Sequence, residues 1–187
     1  YSVDAQWLVP HFEKMLYDQA LLARIYLRAG LACREPRWLQ VATETIDFVL
    51  DELRHPRGGL FSALDADSLD EHGHSHEGLF YTWTTREVRD VLGDEPGKDA
   101  CAWYGITETG NFEGRSIPNR MHARGKFERT GDIEHSRQTL VRARQNRPRP
   151  GLDDKVITEW NAMMLATISE AAFALDNKRW LDAAIAL

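Results

Sequence analysis

The run Pro10–Ala20 is Pro-His-Phe-Glu-Lys-Met-Leu-Tyr-Asp-Gln-Ala, and it decides how the start of this 187-residue chain is interpreted. Apolar side chains recur every three to four residues from Phe12 onward, which predicts a helix over 11–29 that ends at Gly30. The same run contains an imidazole, two carboxylates, an ammonium group, a phenol and an amide. Since buried polar groups cost free energy unless they are paired, this concentration indicates a functional site within a core helix.

Helical spacing continues through most of the remaining chain, and Thr84 and Glu87 have the spacing of a capping box. Between the second and third long helices, Leu60–Leu64 predicts a short strand and Gly78–Trp83 predicts its return strand. The chain is therefore predicted to be mainly α with a small β-hairpin insertion. The further predicted helices span 36–54, 84–93, about 97–104, 132–146 and 155–175.

The composition excludes several classes of protein. Hydrophobic residues make up 43% of the chain, which is enough for a sizeable core, and the formal net charge of −6 argues against a nucleic-acid partner. No apolar run approaches the roughly 20 residues that a membrane span needs, so no membrane partner is expected. Cys33 and Cys101 are isolated, which favours a reducing, cytoplasmic location. Because Tyr1 is not an initiator Met and 180–187 is still apolar and periodic, we expect a fragment of a larger protein.

Histidine and carboxylate groups share one face of the first predicted helix. An ideal helix places His11 and Asp18 on that face, together with Lys14 and Met15. A histidine beside a carboxylate can transfer protons if both groups point into a cavity. The alternative is a satisfied core histidine with ion pairs at the surface.

Two pairs of acids lie where predicted elements begin or end. Asp65 and Asp67 follow the first predicted strand, where carboxylates can bind sugar hydroxyls or protonate a leaving group. A plain turn with solvated acids is the alternative. Asp153 and Asp154 precede the fourth long helix, where they can cap its free N–H groups or form a carboxylate pair at the rim of a pocket.

Amide and aromatic groups accompany these acids. Lys155 directly follows the second acid pair, and Trp160 and Asn161 lie one to two turns further along the predicted helix. An aromatic ring that stacks on a pyranose, with polar groups that bind its hydroxyls, is a common sugar-binding arrangement. Asn111 and Glu113 lie on a glycine-bounded loop, which is either a turn only or a site with a buried catalytic acid.

A histidine-rich segment and a basic segment have simpler explanations. His72, His74 and His76 alternate, which suits zinc or nickel, but the flanking glycine and serine favour a mobile loop tip. Residues 142–150 are locally basic, and a solvated helix end is favoured over a nucleic-acid contact. We therefore expect no metal and no cofactor, and a metal-binding accessory role for the histidine loop stays an alternative.

Several longer motifs together cover the chain almost from end to end. They are Tyr1–Asp4 with Trp7, Pro10–Gln19, Gly58-Gly59 through Asp65–Ser68, Glu77-Gly78, Phe80-Tyr81 with Trp83, Gly110–Glu113, Arg147-Pro148, Asp153–Lys155 and Trp160-Asn161. Together these motifs resemble the thioredoxin-domain-containing family typified by spermatogenesis-associated protein 20. Members of that family join a thioredoxin-like domain to an (α/α)6 toroid similar to N-acylglucosamine 2-epimerase and the six-hairpin glycosidases.

The resemblance implies a partial toroid over 1–187, with the linked thioredoxin-like domain and the remaining helices outside this chain. It implies that the acid clusters surround one funnel that holds a small-molecule or oligosaccharide substrate. The function implied is sugar epimerase or glycosidase chemistry, and a non-catalytic scaffold that binds a sugar or a partner stays the alternative. The candidate catalytic residues are His11, Asp65, Asp67, Glu113, Asp153 and Asp154. The candidate substrate-binding residues are Glu13, Tyr17, Asp18, Tyr81, Trp83, Asn111, Lys155, Trp160 and Asn161.

Overall fold

The computed structural model describes residues 1–187, of which 52% are helical, so the prediction of a mainly α chain with a small β component is confirmed. None of the seven helices combines the length and the apolar character that a membrane crossing requires. The helices are α1 (Leu16–Cys33), α2 (Pro36–Glu52), α3 (Thr85–Leu92), α4 (Asp94–Tyr104), α5 (Gly131–Arg144), α6 (Thr158–Ala174) and α7 (Lys178–Ala186). The strands are β1 (Lys14–Met15), β2 (Ala63–Leu64), β3 (Asp67–Leu69), β4 (Ser75–Glu77) and β5 (Leu152–Asp153).

Two of the local helix signals agree with the structure, whereas the predicted helix end at Gly30 is wrong, because α1 continues to Cys33. Pro36 occupies the first turn of α2, where its missing N–H costs nothing, and Glu35 caps that helix by accepting a hydrogen bond from the Arg37 N–H. The predicted capping box is present: Thr84 accepts from the Glu87 N–H, and the Glu87 carboxylate accepts from the Thr84 N–H. Both signals depend on neighbours in sequence, which is why they could be found without the fold.

The first helix begins later than its apolar spacing predicts. Lys14 and Met15 form β1, and α1 starts only at Leu16, whose N–H donates to the Ser62 carbonyl at 2.9 Å. The predicted helix over 11–29 is therefore wrong over its first five residues. His11 does not share a helix face with Asp18, because strand pairing holds the intervening segment extended.

The predicted hairpin of Leu60–Leu64 with Gly78–Trp83 is also wrong. The strand β2 pairs antiparallel with β1 and β5, which are distant in sequence, and the polar segment between the two predicted strands forms its own hairpin of β3 and β4. Gly78 opens a turn instead, because the N–H groups of Tyr81 and Thr82 both donate to its carbonyl.

The chain divides into two compact units, each described by itself. The four-helix unit comprises Glu13–Asp65 and Leu152–Leu187, and the loop-rich unit comprises Tyr1–Phe12 and Ala66–Gly151. The four-helix unit contains α1, α2, α6, α7 and the three-stranded sheet in the order β1-β2-β5. The loop-rich unit contains α3, α4, α5 and the β3–β4 hairpin.

In the four-helix unit, two helical hairpins pack side by side. The α1–α2 and α6–α7 hairpins have connections of only a few residues, and α1 packs against α6. The helices α1 and α6 run parallel, since the rings of Tyr17 and Trp160 touch near their starts and Arg24 pairs with Glu170 further along. The buried core between them includes Leu16, Ala20, Ala23, Leu27, Ile46, Val49, Met164, Ile168 and Trp180.

In the loop-rich unit, a half-buried arginine takes the place of regular backbone pairing. The Arg147 guanidinium donates to the carbonyls of Phe80 and Thr82 at 3.0 and 2.7 Å, and its plane lies over the Trp83 ring at 3.9 Å. Burial lowers the pKa of Arg147 to about 10, which leaves the guanidinium charged near neutral pH. One side chain therefore satisfies the carbonyl groups of the turn that Gly78 opens.

Glu87 connects this arginine to a second one. Its carboxylate accepts hydrogen bonds from Arg115 at 2.6 and 2.8 Å and lies 3.4 Å from the Arg147 guanidinium. Burial raises the pKa of Glu87, but the hydrogen bonds from Arg115 and the Thr84 N–H outweigh it, so the pKa is held below its usual value. Arg115 also donates to the Thr82 hydroxyl and carbonyl, which closes the network around the turn.

We predict that Arg147→Ala lowers the free energy of unfolding by about 2 kcal/mol, because it leaves the Phe80 carbonyl without its donor and removes the cation from the face of the Trp83 ring. Arg142→Ala, which removes an exposed arginine of α5, serves as the control and is expected to change stability by about 0.5 kcal/mol or less. Urea unfolding measures both variants. Equal losses for the two would show that the half-buried arginine carries no special structural role.

Stability is also expected to fall in acid through Glu87. Its pKa is lower in the folded than in the unfolded chain, so its contribution is present above its ordinary value of 4.5 and is lost as the pH falls below it. The free energy of unfolding of Glu87→Gln should therefore depend less steeply on pH between about pH 5 and pH 3 than that of the wild type. Glu108→Gln, at an exposed position, should keep the wild-type slope, and a wild-type slope in Glu87→Gln would contradict the account.

Candidate functional site

The sequence-predicted site residues divide between the two units. The four-helix unit contains Glu13, Tyr17, Asp18, Asp65, Asp153, Asp154, Lys155, Trp160 and Asn161. The loop-rich unit contains His11, Asp67, Tyr81, Trp83, Asn111 and Glu113.

In the four-helix unit, the three-stranded sheet gathers three of the predicted acids. Its register pairs Met15 with Ala63 and Ala63 with Asp153. Continued by one residue beyond the Lys14–Leu64 pair, the same register sets Glu13 opposite Asp65. Side chains alternate along a strand, so Glu13, Asp65 and Asp153 belong to one face of the sheet.

Lys155 lowers the pKa of Asp153. Its ammonium group contacts the Asp153 carboxylate at 2.5 Å, and this hydrogen bond is the main reason that the pKa of Asp153 is held below its usual value. Asp153 is therefore ionised at neutral pH and suits a base or an electrostatic role better than an acid role. Asp154 follows it in an exposed position, and neither residue caps α6, whose N-cap is Ile157 with no side-chain cap. The capping alternative for these two acids is wrong.

Aromatic side chains lie at the helix starts that follow the sheet. The rings of Tyr17 and Trp160 are in tilted contact at 4.9 Å, in the first turns of α1 and α6. Asp18 lies beside Tyr17 in the first turn of α1, where a carboxylate complements the helix dipole. The sheet face and these first turns thus bring carboxylates and aromatic rings to one end of the four-helix unit.

Asn161 has a structural role in the same unit. Its carboxamide accepts from the Leu60 N–H at 2.7 Å and donates to the Leu60 and Ile157 carbonyls at 3.0 Å. Both edges of the amide are therefore engaged by backbone. The side chain predicted to bind substrate ties the start of α6 to the segment before β2.

In the loop-rich unit, His11 and Asp67 lie apart from helices. The His11 ring is half-buried and stacks on Tyr1, with ring centroids 4.8 Å apart. Asp67 lies on β3, and its carboxylate accepts a hydrogen bond from the Ser75 hydroxyl of β4 at 3.0 Å. The stacking and the cross-strand hydrogen bond hold both side chains in place.

The glycine-bounded loop contains a structural amide and an exposed acid. The Asn111 carboxamide accepts from the Ile117 N–H at 2.8 Å and donates to the Ile117 carbonyl at 3.2 Å, which closes the loop. Glu113 lies at the tip of the turn between Phe112 and Arg115 with a φ of +49°. The expectation of a buried acid here is wrong, because Glu113 is exposed at that tip.

The histidine-rich hairpin is held by Asp70. Its carboxylate accepts hydrogen bonds from the His74 and His72 N–H groups at 2.8 and 2.9 Å and lies 3.2 Å from the His76 ring. The backbone hydrogen bond from His74 is the largest cause that lowers the pKa of Asp70 to about 2. No group of three or more His, Cys, Asp or Glu side chains in the chain is placed as a metal ion would need.

The sequence interpretation missed Arg115 and Arg147. The basic run before Pro148 was expected to be a solvated helix end, yet Arg147 is held against the Phe80 and Thr82 carbonyls. One signal could have pointed to it. Tyr81 and Trp83 form an aromatic turn whose carbonyls have no strand partner nearby in sequence, and such a turn needs donors from elsewhere in the chain.

No protein-family model matches the chain. Curated relatives are similar over nearly all of it: spermatogenesis-associated protein 20 of Homo sapiens is 36% identical over 97% of the chain, and that of Mus musculus is 35% identical over 96%. An uncharacterised protein of Caenorhabditis elegans is 29% identical over 98% of the chain. The chain spans about a quarter of these relatives' length, 26 to 29%. The chain is therefore similar over almost every residue to a part of spermatogenesis-associated protein 20.

Proposed function

We propose that the chain acts on a saccharide by general acid/base chemistry at the carboxylate face of the three-stranded sheet. The observation that carries this proposal is the strand register, which pairs Met15 with Ala63 and Ala63 with Asp153. Extended by one residue beyond the strands, this register sets Glu13 opposite Asp65 on the same face. Cross-strand neighbours have Cβ atoms about 4.5–5.5 Å apart. Retaining glycosidases hold their two carboxyl groups about 5 Å apart, a separation that acidic side chains on neighbouring strands can reach, and we propose this chemistry in preference to that of an epimerase.

The groups around the pair have complementary roles. Asp153 is kept ionised by Lys155, so it can stabilise the positive charge that develops on the sugar ring during glycosidic cleavage. The Tyr17 and Trp160 rings offer apolar faces on which a pyranose can stack. Glu13 and Asp65 then share the roles of general acid and nucleophile.

The proposed fold is a segment of an α/α toroid. Two short-connected hairpins with parallel α1 and α6 are the repeat that such a toroid uses. The helix α1 also exposes Leu21, Leu22 and Ile25, whose apolar side chains suit the packing of a neighbouring hairpin.

A non-catalytic sugar-binding scaffold is the second candidate. It is favoured by Asn161 and Asn111, since both amides predicted to bind substrate are engaged by backbone groups. A scaffold would bind the same saccharides without cleaving them, and its binding would not depend on the ionisable pair.

The test is hydrolysis of a panel of aryl glycosides, with the anomeric configuration of the first product followed by proton NMR. We expect cleavage with retention, and a loss of kcat of about 100- to 10,000-fold in Asp65→Asn and in Glu13→Gln with the fold intact. Glu159→Gln removes an exposed acid of the first turn of α6 and should retain wild-type turnover.

Three results would contradict the proposal. Binding without cleavage across the panel would favour the scaffold. Exchange of the sugar C2 proton with D2O solvent would favour an epimerase. Full activity in both Asp65→Asn and Glu13→Gln would show that the catalytic residues do not lie on the sheet face.

A further inference from the structure

A cavity of about 140 Å³ lies within the loop-rich unit, and all of its lining residues belong to that unit. One wall is a single face of α5, with Arg137, Leu140, Val141 and Arg144 at the three- and four-residue spacing of a helix. The opposite wall is formed by Tyr81, Trp83, Tyr104, Ile106 and Pro118.

The residues that line the cavity favour a flat, apolar ligand. Seven of the nine lining residues are aromatic or aliphatic, and the other two are arginines. Trp83 is only 5% exposed and is held by the Arg147 guanidinium over its ring, so this wall is rigid. A pyranose presents hydroxyl groups on every side and would leave most of them without partners here. A planar ring matches the aromatic wall better.

The arginine side chains of the cavity favour a ligand that carries a negative charge. The Arg144 guanidinium carbon lies 5.1 and 5.4 Å from the ring centroids of Phe80 and Tyr81, so the cation is placed beside the aromatic wall. Arg137 is already paired with the Glu134 carboxylate by hydrogen bonds at 2.7 and 3.0 Å, so the positive charge that faces a ligand is assigned to Arg144. Guanidinium groups bind planar carboxylates in a two-point geometry that an ammonium group cannot reproduce.

The segment that supplies the α5 wall is basic. Residues 137–149 contain five Arg and no Asp or Glu, although the whole chain has a formal net charge of −6. All of these residues belong to the loop-rich unit. A local excess of positive charge raises the concentration of anions near the cavity.

We propose that this cavity binds a small planar anion of the aromatic carboxylate class. A cavity on the order of 150 Å³ is enough for a benzene-sized ring, so the volume fits one ring and little more. The ring lies between the aromatic wall and Leu140, and the carboxylate faces Arg144. This site is independent of the proposed saccharide chemistry, and its ligand differs in class.

The test is an NMR titration of the protein with benzoate, with benzamide as a neutral ligand of the same shape and glucose as a sugar. We expect benzoate to bind at least tenfold more tightly than benzamide, because its carboxylate receives charge-assisted hydrogen bonds. Glucose should produce no shifts at the cavity residues. Binding of glucose at this site, or no binding of benzoate, would overturn the proposal.

Three variants locate the site. Arg144→Gln should weaken benzoate about tenfold and leave benzamide unchanged, whereas Arg142→Gln, at an exposed position of the same helix, should leave both unchanged. Val141→Trp fills the cavity and should abolish binding of both ligands, with the amide spectrum of the remaining residues showing an intact fold. Equal benzoate affinity in Arg144→Gln and Arg142→Gln would overturn the proposal.

Discussion

The pairing of three two-residue strands is the constraint on which the four-helix unit depends. Met15 pairs with Ala63, and Ala63 pairs with Asp153, so segments distant in sequence meet in one small sheet. The Ser62 N–H donates to the Asp153 carbonyl, and the Ser62 carbonyl accepts from the Leu16 N–H. This pairing sets where α1 begins, holds the segment that leads into α6, and places the acids on one sheet face.

The loop-rich unit is organised by side chains instead of strands. Arg147 and Arg115 supply the hydrogen bonds that a partner strand would otherwise give to the turn carbonyls, and Glu87 neutralises them. Gly78 opens that turn with a φ of +69°, and a Cβ there would lie 2.6 Å from the Phe12 ring. The aromatic turn is therefore rigid without regular secondary structure. Its Tyr81 and Trp83 side chains line one wall of the cavity beside α5.

The helices could be predicted from the sequence because their signals are local. The Thr84–Glu87 capping box, the position of Pro36 and the apolar spacing of α2, α5 and α6 all depend on neighbours within a few residues. The strands β1, β2 and β5 could not be predicted, since two residues carry no periodicity and their partners lie far along the chain. Leu60–Leu64 therefore predicted a pairing with the wrong segment.

The residue types of the candidate site could be chosen from the sequence, but their arrangement in space could not. The acids Asp65 and Asp153 were identified from their positions at the ends of elements, but only the sheet register sets Glu13 beside them. Asn161 and Asn111 show the opposite error, because an amide beside acids has the same local pattern whether it binds a ligand or the backbone. Arg147 has no signal among its own sequence neighbours, because the turn whose carbonyls it binds lies far from it along the chain.

The central claim is that Glu13 and Asp65 act as one pair, and a double-mutant cycle on kcat for glycoside cleavage tests it most directly. Groups that act as a unit have strongly non-additive effects. The account predicts that Glu13→Gln and Asp65→Asn together lower kcat by no more than about tenfold beyond the more severe single variant. Losses that multiply across the two substitutions would show that the two carboxylates act independently and would contradict the account.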